Sequence, residues 1–178
     1  DRLRSRGLGD VYKRQEYHPF YLEESQHIQL LPYFVKLYER RWYVYGPTQE
    51  NRRIKVYALD RVQRLSISGQ TFRMPKGFSA EEHLATSIGI SYPDIPPRRI
   101  VIKCTGEQPQ YLRALPLHYS QEETEQHDGW SLFGYYLAPT NEFYRKILAP
   151  REFMEIVSPE EVRQEYAAIL EKMLGQHR

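Results

Sequence analysis

At 178 residues the chain has room for one domain of average size or two small ones. Hydrophobic residues make up 40% and charged residues 27%, ordinary globular proportions, and no apolar run approaches the roughly 20 residues that span a bilayer. The single cysteine, Cys104, excludes an intrachain disulfide and a thiolate metal cluster, and the net charge of +2 conceals an uneven distribution.

Residues 1–15, "DRLRSRGLGDVYKRQ", show no hydrophobic period and no plausible strand. "SRGLGDVYKRQ" resembles translated adapter sequence from sequencing reads. The segment is expected to be non-native, with the natural protein extending further upstream. It also lacks the apolar core of a signal peptide, and a cytoplasmic location is expected.

From residue 16 the text changes. "IQLLPYFVKLYE" (28–39) alternates in its second half, "RWYVYG" (41–46) is aromatic and β-branched, and "GPTQEN" (46–51) is a turn. "RIKVYALD" (53–60) and "RVQRLSIS" (61–68) alternate again. Several short strands with tight turns in about 50 residues predict a small, strongly bent barrel over 16–75. Residues 28–73 hold nine Lys/Arg against three acids, a net of +6, whereas 98–178 carry a net of −2. Such a local excess is the electrostatic footprint of an anionic partner.

Within the basic module, alternation puts residues 41, 43 and 45 on one strand face and 42 and 44 on the other. Trp42 and Val44 read as core. Arg41, Tyr43 and Tyr45 then form a candidate binding face, because single-stranded nucleic acid takes cations for its phosphates and aromatic rings for its bases. An ordinary half-buried sheet with Tyr and Arg on its solvent side shows the same composition.

Residues 76–97 form a second stretch. Ser79 with Glu82 three residues on is a capping box, Gly89 is placed to end the helix, and "SYPDIPPRR" reads as a linker. Residues 98–178 then give a strand (98–106), a helix (108–116), a polar strand (117–126), a returning strand (130–138), a helix (139–149) and a strand (151–158). That order is β-α-β-β-α-β, the split βαβ of a ferredoxin-like domain. A last helix follows, with Ser158 as cap, Pro159 at its first position and Val162, Tyr166, Ile169, Leu170 and Met173 at helical spacing. The predicted fold class is α+β: a small SH3/Sm-like β-barrel, then a ferredoxin-like domain with a C-terminal helix.

Catalytic signals are thin. The six histidines make no metal-spaced pair, and no phosphate-binding glycine loop occurs. His118, Ser120 and Asp128 fall close in sequence, but nothing resembles a nucleophile elbow. No enzymatic activity, cofactor or metal is expected.

"RRWYVYG…RIKVYALDRVQRL" resembles the WYL domain, with Trp42-Tyr43-Val44 departing conservatively in the third letter of its motif. "LPLHYSQEE" and "APTNEFYRKIL…EIVSPEEVR" resemble the WCX extension that follows many WYL domains. The resemblance implies the C-terminal part of a bacterial transcriptional regulator, one that senses a ligand and dimerises. The implied ligand is single-stranded DNA or RNA or a nucleotide-like effector. Operator DNA would be read by a helix-turn-helix upstream of this chain. The implied ligand-binding positions are Lys36, Tyr38, Arg41, Tyr43, Arg53, Tyr57 and Arg61, with Asp60 structural. A protein–protein interaction module without a nucleic-acid ligand is the rival reading, since small barrels host many functions.

Overall fold

The computed structural model describes residues 11–91 and 95–178. Residues 1–10 of the adapter-like segment and 92–94 of the Pro-rich linker lie outside the described residues. The chain divides into two compact units, one ending at Leu84 and the other beginning at Ala85. Both mix strands and helices, giving three antiparallel sheets and four helices among the described residues.

The first unit runs β1 (Val11–Tyr17), β2 (Gln26–Leu30), β3 (Phe34–Tyr38), β4 (Arg41–Gly46), β5 (Lys55–Ala58), a 3₁₀ turn (Leu59–Arg61), β6 (Val62–Thr71) and α1 (Ala80–Leu84). The strands form two three-stranded sheets, β2-β1-β6 and β3-β4-β5, linked by a bridge between Leu30 and Thr48. Residues 11–15, which have no strand signature of their own, supply most of β1. The strand sits in the middle of its sheet, with Lys13 opposite Leu30 on one side and Ile67 on the other. Its place comes from backbone pairing on both edges, which polar side chains tolerate.

β3 and β4 are joined by the two residues Glu39 and Arg40, both at positive φ (46° and 66°). This is the hairpin turn that best matches strand twist, made here without the glycine or asparagine that favours it. Ser79 caps α1 through the Glu82 amide (3.2 Å), as the capping box requires, but the helix stops at Leu84, well before Gly89.

Burial corrects the face assignment of β4. Val44 joins Tyr17, Leu30 and Tyr57 in one core cluster. The opposite face is equally covered: Tyr45 is fully buried, its ring stacked on Phe34 at 4.5 Å, and Phe34 packs in turn near Phe78. Tyr43 is buried as well, whereas Trp42 is 45% exposed beside its cross-strand neighbour Leu37. β4 is the central strand of its sheet, and aromatic side chains from beyond β6 close the face that alternation alone assigns to solvent.

The second unit runs β7 (Arg98–Thr105), α2 (Gln108–Ala114), β8 (Glu122–His127), β9 (Trp130–Leu137), α3 (Asn141–Leu148), β10 (Met154–Ser158) and α4 (Glu160–Gly175). Its sheet order is β10-β7-β9-β8, antiparallel throughout. Ile100, Ile102, Cys104, Phe133, Tyr135 and Leu137 turn one sheet face toward Leu112 of α2, Phe143 and Ile147 of α3, and Val162 and Tyr166 of α4. Thr140 caps α3 by accepting from the Phe143 amide (3.3 Å).

Two local expectations fail. β8 begins at Glu122, not at residue 117. The His118 ring meets the Ser120 hydroxyl at 2.7 Å, and that hydroxyl accepts from the Tyr136 amide at 2.9 Å, which builds a turn. The N-cap position of α4 is Pro159, not Ser158, and no side chain caps it.

Candidate ligand-binding site

The hairpin of β3 and β4 brings four of the seven motif positions onto one face. Lys36 pairs across the strands with Tyr43, and Tyr38 with Arg41. Arg41 forms an ion pair with Asp60 at 3.7 Å, which ties the hairpin end to the 3₁₀ turn. Arg61, in the same turn, lays its guanidinium over the Phe20 ring at 3.9 Å, a cation–π contact. Its Nε is buried with no hydrogen-bond partner among the described residues. Arg53 follows the 48–51 turn, where its amide donates to Asn51 Oδ1 (2.9 Å).

Two of the motif tyrosines offer no open ring for stacking. Tyr43 and Tyr57 are each 8% exposed. Tyr57 meets Tyr17 edge-on at 5.3 Å, and burial, with the neighbouring Tyr17 and Tyr21 phenols, pushes its phenol up to about 12. The seven positions are therefore divided among a hairpin face, a turn and the core.

A wide concavity lies elsewhere in the same unit. A groove of about 1190 Å³ is lined by β1, β2, the 48–50 turn, β5 and β6. Tyr57 is the one motif position that lines it. Its cations are Arg14, Lys55 and Arg64, its acids Glu16 and Glu50, and its amides include Gln26, Gln29 and Gln49. Three consecutive cross-strand rows line it: Gln29, Arg14 and Ser66, then Ile28, Gln15 and Leu65, then His27, Glu16 and Arg64. Arg64 reaches Glu16 at 3.7 Å while remaining largely in solvent. Such a surface matches a polar ligand carrying both negative charge and hydrogen-bonding edges. Sequence reasoning set Arg14 aside with the N-terminal segment. The groove amides belong to no motif, and only pairing between distant strands collects them.

In the second unit Cys104 is buried at the sheet centre, and burial pushes its thiol up to about 12, so it behaves as a small core hydrophobe. Arg113 grips Glu123 through two hydrogen bonds (2.6 and 2.9 Å), which hold the Glu123 carboxyl below the usual range and raise Arg113. Among the described residues no three His, Cys, Asp or Glu side chains stand together as a metal site, and no helix is long and apolar enough to cross a membrane.

A small unit of paired antiparallel sheets carrying a polar groove, joined to a four-stranded sheet backed by helices, defines a two-part chain. Residues 14–67 match the WYL domain and residues 96–174 the WCX domain, so the chain carries a WYL domain followed by a WCX domain. Among solved structures it is similar to proteasome accessory factor B/C of Arthrobacter aurescens, with 16% identity and a TM-score of 0.40 over 88% of this chain and 24% of that one. It is also similar to a CRISPR Cas-related protein, with 13% identity and a TM-score of 0.53 over 94% of this chain and 48% of that one. The chain thus spans less than half of either relative, and the second likeness is one of fold. Comparison with curated proteins gives no match.

Proposed function

We propose that this chain is the ligand-sensing and dimerising portion of a bacterial transcriptional regulator, acting in the cytoplasm and without enzymatic activity of its own. The first unit is read as an SH3/Sm-like barrel and the second as a ferredoxin-like domain, a reading supported by the β10-β7-β9-β8 order with helices after β7 and β9. The WYL unit binds single-stranded nucleic acid or a nucleotide-like anion. Bound ligand biases the arrangement of two protomers, and so the operator affinity of an upstream helix-turn-helix, provided it prefers one arrangement.

The observation that carries this reading is the groove. Arg14, Lys55 and Arg64 suit phosphates, and Gln26, Gln29 and Gln49 suit base edges, within one concavity of the WYL unit. The test is fluorescence anisotropy of a labelled single-stranded oligonucleotide across a salt series. Affinity is expected to fall linearly on a log–log plot, with a slope of about −0.7 per neutralised phosphate. Lys55→Glu should weaken binding and flatten that slope. Absence of binding at low salt refutes the single-stranded nucleic-acid ligand.

The exposed cross-strand pair of Leu37 and Trp42 favours a second reading, a protein-interaction module. Under it, Trp42→Ala abolishes partner capture while Lys55→Glu has no effect.

A further inference from the structure

β6 is the longest strand among the described residues and lies at the edge of its sheet. β1 occupies one side, and among the described residues no strand pairs with the other. Proteins ordinarily blunt such an edge with proline, lysine or inward-pointing charge. β6 reads "VQRLSISGQT": no proline, no lysine, and one charge, Arg64, which already faces Glu16 within its own sheet. On one face of the strand Leu65 and Ile67 stand 58% and 73% exposed. Two irregularities in the β1 pairing flank the stretch, so regular pairing is confined to Arg64–Ile67.

We propose that this edge pairs with the same edge of a second copy of the chain, antiparallel, about a two-fold axis through Ser66. Two-fold pairing of identical strands is self-complementary, and side chains must match face to face, so the axis passes through a residue. Three positions compete. An axis through Leu65 sets Ile67 against the partner's Gln63. An axis through Ile67 sets Leu65 against the partner's Gly69. An axis through Ser66 sets Leu65 against the partner's Ile67 and Ile67 against the partner's Leu65, so both apolar side chains are matched. It also puts Arg64 opposite the partner's Ser68, so no like charges meet. Opposed apolar side chains are the stabilising unit of such a seam. Arg64 and Ser66 also line the groove, so the two grooves lie on either side of the seam. A ligand held there touches the interface directly. This inference gives a surface and a register to the dimer of the proposed function, and it does not depend on the ligand's identity.

Oxidative cross-linking of cysteine variants of the full chain tests the register. Opposed residues of antiparallel strands lie within the span a disulfide bridges, and the native Cys104 is buried. Ser66→Cys alone should give a covalent dimer, and Ser68→Cys alone should not. An equal mixture of Ser68→Cys and Arg64→Cys chains should cross-link again. Ile67→Lys should raise the dimer dissociation constant by about tenfold or more in sedimentation equilibrium. A monomer throughout a concentration series, a dimer that Ser66→Cys does not trap, or equal trapping by Ser66→Cys and Ser68→Cys overturns the proposal. Oligonucleotide anisotropy on the Ile67→Lys chain keeps the outcomes separable: lost dimer with retained binding sinks neither reading, whereas binding lost in the wild type sinks only the ligand.

Discussion

Gly46 ends β4 at the point where the chain before β3 crosses it. A Cβ built there overlaps the Leu31 carbonyl oxygen and lies 2.9 Å from the Leu31 carbonyl carbon and 3.3 Å from Pro32 Cα. All three obstacles are backbone. The segment that supplies them is pinned on both sides, by Leu31 N–H to the Pro47 carbonyl (2.9 Å) and by Tyr33 N–H to the Tyr45 carbonyl (2.8 Å). Gly46→Ala therefore forces the two strands apart. Overpacking costs about 1–3 kcal/mol, and weakening two backbone hydrogen bonds adds about 0.5–1.5 kcal/mol each. Together the loss is about 2–6 kcal/mol, a large share of a small unit's stability. The two tryptophans fall one in each unit, Trp42 and Trp130. Urea unfolding of a Trp130→Phe background, followed by fluorescence, reports the WYL unit alone. Gly69→Ala is the control, because nothing lies within 4 Å of its added Cβ. A Gly46→Ala transition within about 0.5 kcal/mol of the parent, the usual range for a surface change, refutes the reasoning.

Three further outcomes are expected. Thr140→Ala removes the side-chain acceptor at the start of α3 and should cost the WCX unit about 1 kcal/mol, read from Trp130 fluorescence during urea unfolding. Arg40→Gly relieves a positive-φ residue in the β3–β4 hairpin and should stabilise the WYL unit by about 1 kcal/mol in the Trp130→Phe background. The Tyr57 phenol, pushed up to about 12 in the folded chain against about 10 when unfolded, favours the fold while it stays protonated. That contribution is complete below about pH 10 and disappears as pH rises toward 12. Tyr57→Phe should flatten the alkaline fall in stability, followed by circular dichroism.

What the sequence makes legible is what short-range pattern controls. Ser79 and Glu82 announce α1, and the spacing of Phe143 and Ile147 announces the buried face of α3, because both follow from neighbours within four residues. The faces of β4 are read correctly as sets, 41-43-45 against 42-44, since strand alternation is local. Which set meets water is not local. Phe34 covers Tyr45, and Phe72 and Phe78 extend that aromatic cluster from the far side of β6. The polar strand β1 has no hydrophobic period to betray it, because its side chains line the groove and its stability comes from β2 and β6. The groove residues likewise acquire meaning only when five separate stretches converge.

The basic motif then has two possible uses, and its geometry separates them. Arg41 and Arg61 already hold partners: Asp60 for one, the Phe20 ring for the other. Both contacts join the hairpin end and the loop after β1 to the 3₁₀ turn, so these cations brace the fold around the groove without lining it. An ion pair as exposed as Arg41–Asp60 stabilises by no more than about 1 kcal/mol. Lys55, by contrast, lines the groove. If phosphates bind there, Lys55→Gln should flatten the salt slope of oligonucleotide binding by about 0.7. Arg41→Gln should leave the slope unchanged while slightly lowering the urea midpoint of the WYL unit. The reverse pattern, a slope altered by Arg41→Gln and not by Lys55→Gln, would move the ligand from the groove to the motif face and restore the assignment that the motif alone implies.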